Sequence, residues 1–225
     1  MKKLVIFDLD GTLLNTIADL GHGANYALKQ CGFPTHDIAS YPLFVGNGVG
    51  RLLERVLPPD AHDTQTVARV RAVFEQYYDR HLYDYTCPYP GIPQLLHDLA
   101  AQGVKFAVTS NKYQSATSRL VAHFFPHLPW EAVHGMREGV PAKPDPSIVF
   151  NVLAGVPTPK NDVMYVGDSG VDMETARRAC VESVGVTWGF RPLSELRQFH
   201  AEHIANDPSD VYNFVMNPSI SEIEE

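Results

Sequence analysis

Four groups of polar residues stand just after short apolar runs or in the loop beyond one, and their types suit work on a doubly charged oxyanion. Asp8 and Asp10 follow Leu4 to Phe7, with Gly11 and Thr12 next. Ser110, Asn111 and Lys112 follow Val104 to Val108. Lys143 sits in the loop Ala142 to Pro146, and Gly167, Asp168 and Ser169, with Asp172 shortly after, follow Val163 to Val166. A carboxylate attacking a phosphate dianion meets repulsion of roughly 5 kcal/mol per pair of unit charges at ~3.5 Å and an effective dielectric of ~20. A divalent cation held by Asp8, Asp168 and a backbone oxygen offsets that repulsion, because hard oxygen ligands with substrate phosphate and waters describe a magnesium site. Lys143 adds a second fixed positive charge, while Ser110 and nearby backbone N–H groups can hold equatorial phosphate oxygens. Asp8 can then form an acyl phosphate. Asp10, two positions on, can protonate the leaving oxygen and later take a proton from water. The two side chains need not point the same way, since Gly11 lets the chain turn at once.

For these groups to converge, the runs before them must lie side by side. Leu4 to Phe7, Val104 to Val108, Ala132 to His134, Val163 to Val166 and Ser183 to Val186 are rich in β-branched and aromatic residues and read as strands. Between most of them lie helical spacings: Leu95, Leu96 and Leu99, then Ala116, Leu120 and Phe124, then Met173, Ala176 and Cys180. Runs apolar on both faces, alternating with helices, predict an α/β fold with a doubly wound, Rossmann-like parallel sheet. The carboxyl ends of such strands form the ligand crevice. A last short strand around Ile204 and a helix near Val211 to Val215 complete the pattern. Residues 15–85 break it with three amphipathic helical patterns: Ile17, Leu20, Ala24, Ala27 and Leu28; Val49, Leu52, Leu53 and Val56; Val67, Val70, Phe74 and Tyr77. This predicts an α/β core of residues 1–14 and 86–225, re-entered at Pro88, Pro90 and Gly91, with an all-helical cap of residues 15–85 inserted after the first strand. The acidic end from Ser219 to Glu225 reads as a frayed tail.

Asp8-Leu9-Asp10-Gly11-Thr12, Ser110-Asn111, Lys143-Pro144-Asp145-Pro146 and Gly167-Asp168-Ser169 with Asp172 resemble the four ordered signatures of the haloacid dehalogenase superfamily, over nearly the whole chain. The resemblance implies a magnesium-dependent phosphatase working through an aspartyl phosphate. It assigns Asp8, Asp10, Ser110 and Lys143 to catalysis and Ser110, Asn111 and Lys143 to the phosphate. To the metal it assigns Asp8, Asp168, Asp172 and the backbone oxygen of Asp10. The helical insert is similar to that family's small cap, and Val45-Gly46-Asn47-Gly48 with Leu53 to Leu57 resembles the cap of bacterial phosphoglycolate phosphatases. That makes 2-phosphoglycolate the first substrate expected, with Asn47 and Arg55 as candidate cap contacts. A sugar phosphomutase of the β-phosphoglucomutase type would share the aspartyl phosphate but must hold a second phosphate from the cap, where Arg51 beside the glycine loop is available. A non-catalytic phosphate-binding module is the third reading. Dehalogenase and phosphonatase chemistry fit less well, because relatives that perform it lack an acid at the position of Asp10.

Taken singly, each group has an ordinary structural reading. Asp-Gly is a common turn pair, Ser110 could cap a helix, Lys143 could be a solvated loop lysine, and Asp168 with Asp172 could cap the helix after Ser169. Their occurrence together, in order and past strands, favours a site. Gly46, Gly48 and Gly50 have the spacing G-x-G-x-G outside any βαβ unit and predict a cap loop rather than a dinucleotide fingerprint. Asn47 faces substrate or steadies a turn; Arg55 binds a carboxylate or is a surface charge. His200 and His203 lack a third ligand. With 225 residues, 44% of them hydrophobic, the chain can bury a substantial core. A net charge of −8 removes the usual drive toward nucleic acid or anionic membranes and leaves a small phosphorylated metabolite as the expected partner of a monomer or weak dimer. Cys31, Cys87 and Cys180, odd in number and far apart, read as core thiols in a reducing cytosol. Lys2 and Lys3 could open a signal peptide, but Asp8 and Asp10 interrupt the apolar run, so a cytoplasmic protein is expected.

Overall fold

The computed structural model describes residues 1–218; the acidic stretch Ser219 to Glu225 lies outside the described residues. In chain order, β1 (Leu4–Phe7) and β2 (Leu14–Asn15) precede the helices α1 (Ile17–Gln30), α2 (Gly48–Val56) and α3 (Thr64–Tyr78). There follow β3 (Cys87–Pro88), α4 (Ile92–Ala101), β4 (Lys105–Tyr113), α5 (Gln114–Phe124), β5 (Trp130–Met136), α6 (Ser147–Gly155) and β6 (Val163–Gly167). Then come α7 (Gly170–Ala179), β7 (Glu182–Val186), α8 (Leu193–Gln198), β8 (His203–Ala205) and α9 (Pro208–Met216).

Six strands form one parallel sheet in the order β5-β4-β1-β6-β7-β8. All four residues of β1 are buried because both faces of the strand are covered. Val5 and Phe7 point into a core shared with Leu95, Leu96 and Leu99 of α4 and Val211 and Val215 of α9. Leu4 and Ile6 point the other way, onto Ile148, Val149 and Val152 of α6 and Ala176 and Ala179 of α7. Each such side chain contributes about 1.5–3 kcal/mol on burial, so β1 is firmly held on both faces. From β1 the sheet grows by β4 and β5 on one side and by β6, β7 and β8 on the other. The switch point is therefore the carboxyl end of β1, where Asp8 begins.

The stretch between β2 and β3 is helical. Leu20, Ala24, Ala27 and Leu28 of α1 and Val49, Leu52, Leu53 and Val56 of α2 are buried, as their spacing predicts. On α3 the stripe runs Val70, Phe74, Tyr78, a strict four-residue step; Tyr78 is fully buried, whereas Tyr77 lies on the shoulder and stacks on Tyr26 at 4.2 Å. A ribbon absent from the sequence reading joins this insert to the sheet: β2 and β3 pair antiparallel, Leu14 with Pro88 and Asn15 with Cys87. Buried Asp19 of α1 accepts hydrogen bonds from the backbone N–H groups of Tyr85 and Thr86 and from the Thr86 hydroxyl, tying α1 to the segment that leads into β3.

The cysteines are not core residues. Cys31 is half-buried, and Cys87 and Cys180 are exposed. Cys180 ends α7 in the left-handed conformation (φ 57°), which turns it off the Met173 and Ala176 face. Val181 folds back instead, its N–H bonded to Ala176 O, and fills the buried position. Cys87 stands on the two-residue ribbon, where nothing covers it. No helix among the described residues is long and apolar enough to cross a membrane.

Candidate active site

Asp8 continues β1 by one residue, its N–H bonded to Val166 O at 2.9 Å, so its carboxylate emerges rigidly at the switch point. Beyond it the chain turns at Gly11 (φ 90°), where a Cβ would collide with the Asp168 carboxylate; a Cβ on Gly189 would strike both Asp168 and the Gly11 carbonyl oxygen. These two glycines let three stretches of backbone close around Asp168.

Lys143 reaches into the same space from the loop after β5. Its buried ammonium donates to Asp8 Oδ1 (2.8 Å), Asp172 Oδ1 (2.7 Å) and Thr109 O (3.1 Å), which uses all three of its N–H bonds. Asp168, after β6, accepts from the Phe190 N–H on Oδ2 at 2.7 Å. One carboxylate oxygen from each of Asp8, Asp168 and Asp172 lies within 4.8 Å of the others. Asp172 has both oxygens engaged: Lys143 holds Oδ1, and the Ser169 N–H (3.2 Å) and hydroxyl (2.6 Å) hold Oδ2 in the capping box of α7. Asp8 and Asp168 are bonded through one oxygen each by the described residues, so their second oxygens are the donors available to a cation.

Three buried carboxylates against one ammonium leave an excess of negative charge. Burial, and then Asp172, push the Asp8 carboxyl up to about 7 in spite of Lys143. Burial, with Asp172 and Asp8 beside it, holds Asp168 well above the ordinary carboxylate range. Burial alone would lower Lys143, but Asp172 and Asp8 outweigh it and keep the ammonium charged. A divalent cation between Asp8 and Asp168 would balance this set, and its all-oxygen character fits magnesium.

Asp10 belongs to a separate cradle. Its carboxylate accepts from Thr16 Oγ1 at 2.8 Å and from Lys112 Nζ, which is 3.0 Å from both oxygens. Lys112 stands in the sequence beside Ser110 and Asn111 after the second apolar run, with no role of its own assigned there. Its signal is the period of two: β4 runs on to Tyr113, so Lys112 and Ser110 stand two apart on a strand that enters the site. Ser110 is buried, and its Oγ accepts from the Lys112 N–H at 3.1 Å. The Asn111 side chain is drawn away from any phosphate: its amide bonds the backbone of Lys143 in both directions, Nδ2 to O at 3.1 Å and N–H to Oδ1 at 2.9 Å. It therefore fixes the loop that carries Lys143.

Asp8, Asp10, Ser110, Asn111, Lys112, Lys143 and Asp168 line one cleft. The insert contributes Leu20, Val45, Gly46, Gly48, Val49, Leu52, Phe74 and Tyr78. Asn47 and Arg55 do not line it. Arg55 donates to Phe44 O (2.9 Å) and Asn47 Oδ1 (2.6 Å), so the pair braces the loop behind the lining. Arg191, also unassigned from sequence, spans from the core to that loop by donating to Pro42 O (3.0 Å) and Val45 O (2.6 Å). Glu182 holds His203 Nε2 at 2.6 Å, and His200 takes no part in that pair.

A parallel sheet with an acid-rich, lysine-braced cleft at its switch point, roofed by inserted helices, is the architecture of an α/β enzyme. Residues 5–186 match the haloacid dehalogenase-like hydrolase family model, and the chain belongs to that family. It is 30% identical over 203 residues to a phosphoglycolate phosphatase of Pseudomonas syringae pv. tomato, covering 87% of this chain and 74% of that one. It is 32% identical over 196 residues to a phosphoglycolate phosphatase of Cereibacter sphaeroides, covering 85% and 89%. Among solved structures, a protein of Lactobacillus delbrueckii subsp. bulgaricus provisionally named a phosphoglycolate phosphatase superposes with a TM-score of 0.89 at 32% identity, over 96% of this chain and 99% of that one.

Proposed function

We propose that this chain is a cytoplasmic, magnesium-dependent phosphatase that hydrolyses a small phosphorylated metabolite, 2-phosphoglycolate first among them, through phosphorylated Asp8. Residues 15–85 act as the cap over a core of residues 1–14 and 86–225. The observation that carries this reading is the pair of separate cradles: Asp8 is braced by Lys143 at the sheet's switch point, and Asp10, two residues on, is braced by Lys112 and Thr16.

Asp8, Asp168 and, by the family resemblance, the backbone oxygen of Asp10 would hold the magnesium ion, with Asp172 acting through Lys143 and Ser169. When bound, magnesium offsets the repulsion between the Asp8 carboxylate and the phosphate. The Asp8 oxygen attacks phosphorus, the bond from phosphorus to the substrate oxygen breaks, and Asp10 gives its proton to that oxygen. Lys143, the Ser110 hydroxyl and the Asn111 N–H steady the charge on the equatorial oxygens. Water then attacks phosphorus, Asp10 takes its proton, and the bond from phosphorus to Asp8 breaks to restore the carboxylate. Asn47 and Arg55 act on the substrate only through the loop they brace.

The lining also bears on the mutase reading. The insert lines the cleft with uncharged residues, Arg51 is paired with Glu54 at the surface, and Arg55 faces the loop backbone. Among the described residues the cleft lining has no cap cation; Arg191 of the core does line it, but its guanidinium donates to Pro42 O and Val45 O of the cap loop, and this absence of a free cap cation supports release to water. The test is a panel of phosphorylated metabolites, with 2-phosphoglycolate, small sugar phosphates and 4-nitrophenyl phosphate, assayed with and without magnesium. Magnesium-dependent phosphate release is expected, greatest for 2-phosphoglycolate. Isomerisation of a sugar phosphate would move the assignment to a mutase, and binding without turnover to a non-catalytic module.

A further inference from the structure

Asp10 is held by groups that all touch the insert. Thr16, whose hydroxyl bonds Asp10 Oδ1 at 2.8 Å, is the residue immediately before α1. Lys112 comes from the core, but its ammonium lies 4.9 Å above the ring of Tyr78, the last residue of α3. The Lys112 side chain is only 3% exposed, so that ring and the Asp10 carboxylate surround a cation that would otherwise be strongly hydrated. An aromatic face attracts an ammonium without taking any of its N–H bonds, and those bonds stay aimed at Asp10. The Tyr78 hydroxyl is buried with no hydrogen-bond partner among the described residues, so the ring is the part of Tyr78 that serves this arrangement.

We propose that Lys112 is a positioning residue that makes the placement of the Asp10 carboxylate depend on cap closure, with the Tyr78 ring as the contact through which the cap acts. With the cap down, the ring covers the ammonium and Lys112 fixes Asp10 toward the leaving oxygen. With the cap lifted, water reaches the ammonium and Asp10 loses that restraint. The coupling keeps proton transfer competent only when the cleft is covered. It rests on the phosphatase reading above and adds to it how the acid/base group is switched.

The experiment uses the full chain with magnesium and compares 4-nitrophenyl phosphate, whose leaving group needs little protonation, with 2-phosphoglycolate, whose leaving group needs much. Lys112→Met is expected to lower kcat for the alkyl phosphate roughly 100-fold with KM changed less than about threefold, because general acid catalysis is weakened while binding is kept. With the aryl phosphate the nitrophenolate burst persists and phosphorylated Asp8 accumulates in rapid quench, since the second half-reaction also needs Asp10. Tyr78→Leu should shift the alkyl-to-aryl rate ratio in the same direction, by roughly tenfold on the same reasoning. Tyr78→Phe should keep the wild-type ratio. If Lys112→Met does not fold, as judged by circular dichroism, Lys112→Gln takes its place with the same ordering of substrates expected. Equal losses for both substrates without trapped phosphoenzyme, an unchanged ratio in Tyr78→Leu, or a ratio in Tyr78→Phe as disturbed as in Tyr78→Leu would each overturn the coupling. A wild-type chain inert toward every phosphate ester would overturn the phosphatase reading, and the coupling with it.

Discussion

The central sheet carries an ion cluster at each end, half-buried at the amino end and buried at the carboxyl end, and the two are built in opposite ways. At the amino end, Lys2 before β1 pairs with Glu182 at the start of β7 and donates to Asn161 O at 2.8 Å, while His203 of β8 meets the other Glu182 oxygen at 2.6 Å. One carboxylate there has two nitrogen partners. Burial alone would raise Glu182, but hydrogen bonds from Lys2 and His203 outweigh it and hold the carboxyl below its ordinary value. At the carboxyl end, Asp8, Asp168 and Asp172 share one lysine, and Asp8 is pushed up to about 7. The first cluster is satisfied by the chain itself and ties neighbouring strands together. The second is left short of positive charge, at a cost in folding free energy that a bound cation would offset. The contrast sets an end whose charges the chain itself satisfies against one that, on the proposed function, is left to a ligand.

The largest expected effect comes from removing the proposed nucleophile. Asp8→Asn should lower kcat by roughly a thousandfold or more, because an amide is a poor nucleophile and a weaker metal ligand. The same change removes one buried negative charge, so in chelator its melting temperature should equal or exceed that of the wild-type chain. A fall of several degrees would show that the metal-free cluster is not overcharged, and the contrast between the two ends would break.

Lys143→Ala should come next, with kcat lowered by roughly two orders of magnitude as the proposed charge partner of the transition state is lost. Here stability falls as well. Three carboxylates lose their one cation, which costs the metal-free protein about 3–5 kcal/mol, the typical penalty for breaking a buried pair. Denaturant melts with chelator and with magnesium would check this, the deficit shrinking when magnesium is present. Lys143→Arg should also perform badly, since a planar fork cannot reach Asp8, Asp172 and Thr109 O together.

Much of this contrast is legible in the sequence, for identifiable reasons. The strands show because they are apolar on both faces, and Asp8, Ser110 and Asp168 show because each stands just beyond the end of such a run. Lys143 shows through its loop signature. Lys112 does not, because whether a lysine near a strand end is solvated or buried over Asp10 depends on how far β4 runs and on Tyr78 from another element. Asn111 was visible as part of a motif, but its partner is the backbone of Lys143, which lies far away along the chain. Asn47 and Arg55 were left between two readings for the same reason: their pairing depends on how the Phe44 to Gly48 loop folds back on α2. The cysteines misled because composition reports how often a residue type is buried, whereas Cys180 is set by one left-handed helix terminus. The Lys2 and Glu182 pair left no mark, since its members are separated by most of the chain.

The smallest effect should come from the satisfied cluster, and its sign separates the two ends most cleanly. Glu182→Gln should leave kcat unchanged and lower stability at pH 7 by roughly 1 kcal/mol, the scale of charge-assisted hydrogen bonds discounted for partial exposure. The folded-state pKa of Glu182 lies below its unfolded value of 4.5, so the folded chain binds fewer protons there and the contribution is fully present above that value. It is lost as pH falls through the lower folded value. The stability gap between wild type and Glu182→Gln should therefore hold steady from neutral pH down to about 5 and close below that. Asp8 runs the other way: its folded value of about 7 exceeds the unfolded 3.8, so its contribution is fully present below the lower value and lost as pH rises through the upper one. In chelator, Asp8→Asn should accordingly gain on the wild-type chain as pH rises from about 4 to 7, while Glu182→Gln loses ground over the lower part of that range. Melts of the two variants across pH would read both slopes in one experiment, and slopes of the same sign would mean that the two clusters are not opposites.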